Sequence, residues 1–338
     1  MARTEKVELE VDGRTVTVSN PAKVFFPTRG ETKLDLVQYY LAVGTPLLDA
    51  IRGRPFMLER YPDGAGGKSF FQKRVPAGAP DWLQTAIVST PNGTTSNALV
   101  LADLAHVVWA VNLGCLGFHP WPSRADDLDH VDELRLDLDP QPGVAFDRVR
   151  EAAAVTKELL DEVGVPAGAK STASRGIHIY ARLIPRWDAI QVRAAAVAIA
   201  RELERRRPDL VTAAWWKEER GDRVFVDFNQ NAPHKTVFGA WSARARVGGQ
   251  VSTPFAWDEL ETIDPDALTI ETVPGRVTES GDPWAGLLDG DDGATIEPFL
   301  AWSDRDLAAG LGDAPWPPVY PKMPGEPPRV APSRAKKS

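Results

Sequence analysis

One cysteine, Cys115, stands among 338 residues. An internal disulfide and a cysteine-based zinc cluster are therefore excluded. The five histidines are scattered and give no spacing with the three or four ligands of a zinc site. No apolar run approaches the roughly 18 residues of a membrane span. The opening MARTEKVELEVDG lacks the apolar core of a signal peptide. A soluble cytoplasmic protein without a membrane partner is the expectation. Also missing are the phosphate-binding G-x-x-x-x-G-K-S/T loop, the G-x-S-x-G nucleophile elbow and any internal repeat of clean period. Hydrophobic residues make up 43% and charged residues 25%, which excludes a disordered or collagen-like chain.

The net charge of -8 hides an uneven distribution. Residues 1–80 carry a net +3 and 171–250 a net +6. Residues 81–170 carry -8, 251–321 carry -13, and 322–338 carry +4. Phosphate binding depends on the local field, so a basic cleft on an acidic body is compatible with this total. Such blocks are also what ordinary solvated faces produce.

Residues 5–18 alternate around Asp12-Gly13 and predict a hairpin. Helical spacing over 31–52 starts at Thr32, a possible cap. Strands are expected near 54–61 and 68–74, and a buried helix over 98–113. Strict alternation over 133–139, 176–183 and 223–229 predicts three strands, with amphipathic helices over 145–163 and 188–207 between them. That order implies a small sheet backed by helices, an α/β or α+β layer. From about 251 the chain is acidic, with turns at Pro265, Pro274, Gly281, Pro283 and Gly290. Trp257, Trp284 and Trp302 suggest that part of it packs on the body. Residues 315–338 hold eight prolines and end in a basic run, and read as a linker or docking tail.

Asp137 and Asp139 lie two apart on one strand and so share a face, with Leu134, Leu136 and Leu138 on the other. Two such carboxylates are either solvated or neutralised by a divalent cation. Asp227 sits mid-strand among Val224, Val226 and Phe228, where a lone charge is costly. A salt bridge to a nearby arginine or a two-metal site would neutralise it, and three acids on two strands fit the second better. Ser171 to His178 precedes or opens the strand between them. Its hydroxyls, glycine and arginine suit phosphate oxygens, with Lys235, Arg244 and Arg246 as further cations. Lys23 and Lys33 bracket Phe25-Phe26, and Phe70-Phe71 lie between Lys68 and Lys73. Aromatics among cations suit unstacked bases, or make a core pair beneath a basic face. His119 is fixed between Phe118 and Pro120.

Leu-Asp137-Leu-Asp139-Pro, then Ser174-Arg175-Gly176-x-His178, then Phe-Val-Asp227-Phe-Asn-Gln-Asn with Lys235 and Arg244, resembles the archaeo-eukaryotic primase superfamily. Within it the chain is similar to the polymerase domain of bacterial end-joining ligase D and to the stand-alone primase-polymerase C proteins associated with ligase C. The likeness runs from about Asn20 to Leu268. It implies a primase-like core of small mixed RRM-like sheets flanked by helices. A catalytic domain would span 1–270, with a DNA-end-binding part to about 125 and a metal-binding core from 126. An acidic extension over 271–314 and a proline-rich basic tail over 315–338 would follow.

The resemblance further implies site residues. Asp137, Asp139 and Asp227 match the catalytic acids that hold two Mn²⁺ or Mg²⁺ ions. Thr172, Ser174, Arg175 and His178 match the triphosphate segment, with Lys235, Arg244 and Arg246 beside it. Ala173 replaces a glycine common in the family. His119 matches a histidine at the primer and incoming-nucleotide end. Lys23 and Lys33 match a pocket for a downstream 5′-phosphate; Phe70, Phe71 and Lys73 match the template side, and Glu59 replaces a nearby cation. The expected function is template-dependent filling of short gaps or ends bearing a 5′-phosphate, in excision repair or non-homologous end joining. NTPs would be preferred to dNTPs, in a nucleoid-associated setting, with an ATP-dependent DNA ligase as partner. A non-catalytic end-bridging, ligase-recruiting module is the alternative. A metal-dependent nuclease would use similar acids without a triphosphate segment.

Overall fold

The computed structural model describes residues 5–246, 248–288 and 292–334. The predicted turn at Gly290 and the basic run Ala335 to Lys337 lie outside them. The expected hairpin forms from β1 (Lys6–Val11) and β2 (Arg14–Ser19). Asp12 and Gly13 both have positive φ, which suits the right-handed strand twist at a two-residue turn. A short pair, β3 (Val24–Phe26) and β4 (Glu31–Thr32), leads into α1 (Lys33–Ala42). Thr32 and Asp35 close a capping box there. The helical stretch breaks at Val43, and α2 (Gly44–Ile51) follows.

The N-terminal half is organised by a five-stranded antiparallel sheet. Its strands are β5 (Pro55–Arg60), β6 (Phe70–Gln72), β7 (Thr85–Ser89) and β8 (Thr95–Val100), with β9 (Cys115–Pro120) paired to β5. The helix predicted over 98–113 is shorter. Residues to Val100 belong to β8, and α3 (Leu104–Asn112) starts only where the Asp103 side chain caps the His106 N–H. Continuous apolar character alone does not separate a buried strand from a buried helix.

The second half is a six-stranded sheet. In chain order it contains β10 (Val131–Pro140), β11 (Gly168–Ser171), β12 (Ile177–Trp187), β13 (Val211–Thr212), β14 (Val224–Asp227) and β15 (Pro254–Phe255). The order across the sheet is β13-β14-β10-β12-β11-β15. Leu134, Leu136 and Leu138 enter the core beneath α4 (Phe146–Glu162) and α5 (Ala189–Arg206). Each such burial contributes about 1.5–3 kcal/mol. The opposite face is left for polar groups.

The C-terminal region explains the charge blocks. It contains α6 (Val273–Ser280) and α7 (Glu297–Ala308), and α7 packs along α5. Asp306 lies 3.2 Å from Arg205 and 3.9 Å from Arg201, and Arg305 pairs with Glu202. The acidic segment is thus neighbour to the arginine-rich helix. Trp284 and Phe299 are buried in the main core. The proline-rich stretch differs from a free tail: Trp316 and Tyr320 are buried against Ala232, because two aromatic rings and a buried glutamate, Glu326, give it contacts of its own.

Candidate active site

The site is made by sheet register. β10 runs antiparallel to β12 and β14, which sets Asp137 opposite both His178 and Asp227. β11 pairs with β12, which sets Lys170 opposite His178. Directly opposed residues share a face. Lys170, His178, Asp137 and Asp227 therefore form one row across four strands, on the side away from Leu136 and Leu138. Asp139 stands beside the row, exposed, two residues along β10.

Hydrogen bonds fix the row. The buried Lys170 Nζ has three partners: His178 Nδ1 at 2.9 Å, Phe238 O at 2.9 Å and Ser252 Oγ at 2.7 Å. These match the three N–H bonds of an ammonium. Ser252 Oγ donates in turn to Ser171 O. With Nδ1 accepting, His178 carries its proton on Nε2, 3.3 Å from Asp137 Oδ1. Burial, then the charge of Lys170, drives the imidazole down to about 4, so it is neutral at pH 7. Burial drives Lys170 well below the usual lysine range. Burial alone would raise Asp137, but His178, Lys170 and Arg244 hold it below the usual aspartate value. At pH 7 the imidazole contributes through its N–H rather than through charge.

The other two acids go the opposite way. Burial and then the charge of Asp137 push Asp227 up to about 6. Partial desolvation and the charge of Asp137 raise Asp139 as well. Among the described residues, neither has a Lys or Arg at ion-pair distance; Asp227 accepts instead from the Asn229 N–H at 3.0 Å and Gln230 Nε2 at 2.8 Å. Gln230 also reaches Asp137 Oδ2, at 3.3 Å. Two carboxylates of uncompensated charge, beside the ionised Asp137, make a hard-oxygen donor set that fits a divalent cation. Among the described residues no three His, Cys, Asp or Glu side chains converge closely enough to enclose a metal ion unaided. Sites for phosphoryl transfer ordinarily complete the shell with substrate phosphate oxygens and water.

Around the row lie the expected cations. Arg244 donates from Nε to Thr172 O at 2.8 Å and lies over Phe238. Thr172 Oγ1 accepts the Gly176 N–H at 3.1 Å, so this hydroxyl shapes the loop rather than facing outward. Gly176 is required there: a Cβ would come within 2.7 Å of Leu138 O. Ala173 is buried with φ +57°, the left-handed conformation that a glycine adopts without strain. Ser174, Arg244, Arg246, His119 and Glu59 line one pocket of about 200 Å³. Arg175 and Arg246 are exposed, and Lys235 is half-buried near Asp227. His119 sits 3.4 Å from Glu59, between Phe71 and Phe238. That imidazole, with the Tyr61 hydroxyl, pulls Glu59 down to about 2.

The N-terminal residues form a separate cluster. Lys23 Nζ reaches Pro62 O and Asp63 at the surface. Lys33, the second cation expected at a 5′-phosphate pocket, is buried, with Nζ on Ser19 O at 2.7 Å and Asn112 O at 3.1 Å. Burial, Lys23 and Arg60 all lower it, so three cations meet here. Phe70 and Phe71 are 47% and 54% exposed, too open for a core pair. Arg60 lies over Phe70. Lys73 borders two grooves beside β7 and β8. Lys170, Gln230 and Arg220 escaped the sequence reading. Arg220 stacks on Phe225, its centre 3.5 Å from the ring centroid, in the field of Asp139 and Asp227. Gln230 lies in the Phe-Asn-Gln-Asn run after Asp227; Lys170 and Arg220 have no spacing to mark them.

Residues 32–284 match the family model for the LigD primase-polymerase domain. The chain is 31% identical over 277 residues to the multifunctional non-homologous end joining protein LigD of Mycolicibacterium smegmatis, covering 80% of this chain and 36% of that protein. It is 32% identical over 301 residues to the LigD protein of Pseudomonas aeruginosa, covering 87% and 35%. The chain thus spans about a third of the length of these relatives. Among solved structures it is similar to the polymerase domain of Mycobacterium tuberculosis ligase D in complex with DNA. That match has 31% identity and a TM-score of 0.77, and covers 82% of this chain and 98% of the other. Among the described residues no helix is long and apolar enough to cross a membrane. The chain belongs to the LigD primase-polymerase family, a family of nucleotidyltransferases with an archaeo-eukaryotic primase-like fold.

Proposed function

We propose that this member of the LigD primase-polymerase family extends a primer strand across short gaps or DNA ends bearing a downstream 5′-phosphate, as a repair polymerase in end joining or excision repair. The observation that carries the reading is the row Lys170, His178, Asp137 and Asp227, with Asp139 beside it and the Arg244 pocket adjoining. Asp137, Asp139 and Asp227 would hold two Mn²⁺ or Mg²⁺ ions, which supply activation of the 3′-hydroxyl and neutralisation of the leaving pyrophosphate. Lys170 and the His178 N–H keep Asp137 ionised and oriented. Ser174, Arg175, Arg244 and Arg246 bind the triphosphate of an NTP or dNTP, the ribonucleotide being preferred; Thr172 shapes their loop, and Lys235 adds charge beside Asp227. His119 sits at the primer and nucleotide end. Lys23 takes the downstream phosphate in the combined field of Lys33 and Arg60. Phe71, next to Phe70 and Lys73, offers a face to a template base. An ATP-dependent DNA ligase seals the product, in a nucleoid-associated setting.

Extension of a primer over a one- to three-nucleotide gap tests this, with and without the 5′-phosphate and with ribo- and deoxyribonucleotides in Mn²⁺. Phosphate-dependent incorporation is expected. The reading fails if no nucleotide is added under any of these conditions, or if Asp137→Ala combined with Asp139→Ala leaves addition intact.

A further inference from the structure

The stretch Asp313–Arg329 lies beyond residues 32–284 that match the family model and touches the segment after Asp227 at three residues, Asn229, Ala232 and Pro233. Its core is Arg193 of α5, which is buried. Arg193 donates to Asp313 at 2.9 Å, Ala314 O at 2.8 Å and, from Nε, to Asn229 Oδ1 at 2.7 Å. The Trp316 ring covers its guanidinium at 3.9 Å, and Phe228 lies on it at 5.6 Å. Asn229 Nδ2 donates to Pro315 O at 3.0 Å. The side-chain amide of Asn229 is therefore held between Arg193 and the C-terminal stretch. Its backbone N–H donates to Asp227. Further along, Trp316 and Tyr320 pack on Ala232, and the Tyr320 hydroxyl donates to Pro233 O, two residues before Lys235.

Phe228–Asn231 is a single 3₁₀ turn, and such a turn has little rigidity of its own. It carries Gln230 and follows Asp227 directly. Asn231 at its far end is tied to the Arg135 backbone of β10, and the side that carries Asn229, nearest Asp227, is held by Arg193 and the C-terminal stretch. We infer that Asp313–Arg329 is a positioning clamp for the metal-facing carboxylate, with Trp316 acting through Arg193 and Asn229 to hold Asp227. This rests on the proposed role of Asp227 in holding a divalent cation. Groups that orient a metal ligand commonly affect affinity by 10- to 100-fold when removed.

The test uses the full chain and Trp316→Ala, Trp316→Phe and Phe299→Ala. Phe299 is a buried residue of α7 and has no part in the site, so its removal serves as a control for lost stability. Mn²⁺ retention is read directly from the electron paramagnetic resonance of free Mn²⁺, alongside kcat and KM for gap filling and binding to 5′-phosphorylated gapped DNA. Trp316→Ala should weaken Mn²⁺ retention about tenfold. It should lower kcat more than it raises the nucleotide KM, and leave gapped-DNA binding within about twofold. Trp316→Phe keeps an aromatic face over Arg193 and should restore most of the loss. Unchanged Mn²⁺ retention in Trp316→Ala would overturn the inference, as would an equal loss in Phe299→Ala. The Mn²⁺ arm needs no polymerisation, so its failure is distinguishable from failure of the polymerase reading. If the parent chain fills no gap yet Trp316→Ala alone loses Mn²⁺, the clamp stands and the polymerase reading falls.

Discussion

Asp227→Asn should make the metal-free protein more stable at pH 8 while abolishing its activity. Burial and the charge of Asp137 raise Asp227 from 3.8 to about 6. A carboxyl raised in the fold holds its proton more tightly there than in the unfolded chain. Below about pH 4 it is protonated in both states and costs little. As pH rises through 6, the folded state acquires a charge that the unfolded state bears more easily, and stability falls. A gap of about two units at roughly 1.4 kcal/mol each gives a cost of about 3 kcal/mol at pH 8. Asn removes that charge and keeps an acceptor for the Asn229 N–H. Gln230 must turn its amide round to face the new Nδ2, an exchange costing about 1 kcal/mol. The net gain of about 2 kcal/mol corresponds to a rise of roughly 3 °C in a chain of this size. Thermal melts with a chelator at pH 4 and pH 8 measure it: the variant should gain at pH 8 and nearly nothing at pH 4. Mn²⁺ should then raise the melting temperature of the parent and not of the variant, since a ligand stabilises only the state that binds it. A variant no more stable than the parent at pH 8 would refute the idea that Asp227 carries an uncompensated charge.

Three further outcomes are expected. Lys33→Ala leaves Ser19 O and Asn112 O without their buried donor and should cost about 2 kcal/mol in a denaturant melt, whereas Lys23→Ala should stay within about 0.5 kcal/mol; each should reduce discrimination for a 5′-phosphate in a gapped-DNA binding assay. Phe71→Ala removes an exposed ring and should leave the melting temperature unchanged while weakening binding of a single-stranded template overhang by about 1–3 kcal/mol, read by fluorescence anisotropy. Glu59→Gln removes an anion from the pocket of Arg244 and Arg246, and should lower the nucleotide KM about threefold, roughly 0.7 kcal/mol of relieved repulsion.

The strands that carry the acids were legible because their chemistry is written in a period of two. The alternation of β10 and β14 already separates Leu136 and Val226 from Asp137 and Asp227, and the structure keeps that separation. The strands that alternation missed are short or lack contrast. β11 is Gly-Ala-Lys-Ser, wholly buried, with no polar face to mark it. Lys170 lies on that strand, so its role was hidden with it. A lysine between alanine and serine reads as a solvated charge until the register with His178 is known. The burial of Lys33 was not legible either: it is the first residue of α1, and the contacts that engage its ammonium come from the ends of β2 and α3.

The C-terminal stretch shows why composition is a poor guide to packing. Eight prolines argue against helix and sheet, and among the described residues of the stretch the regular structure is one 3₁₀ turn, Pro332–Arg334. They do not prevent burial, because a chain without regular structure packs wherever its side chains find partners. Trp316 finds a guanidinium already fixed by Asn229, and Glu326 accepts from Arg329 and from the Trp316 and Met323 N–H groups. Arg193 alone would be an unbalanced charge under α5; Asp313 and the carbonyls of Ala314 and Pro315 complete its hydrogen bonds. Removing the stretch would leave Arg193 without these partners and the Asn229 amide nitrogen without its acceptor, two residues beyond Asp227. The segment that looked least like structure in the sequence therefore shares with β10, which holds Asn231, the bracing of the turn beside the acids.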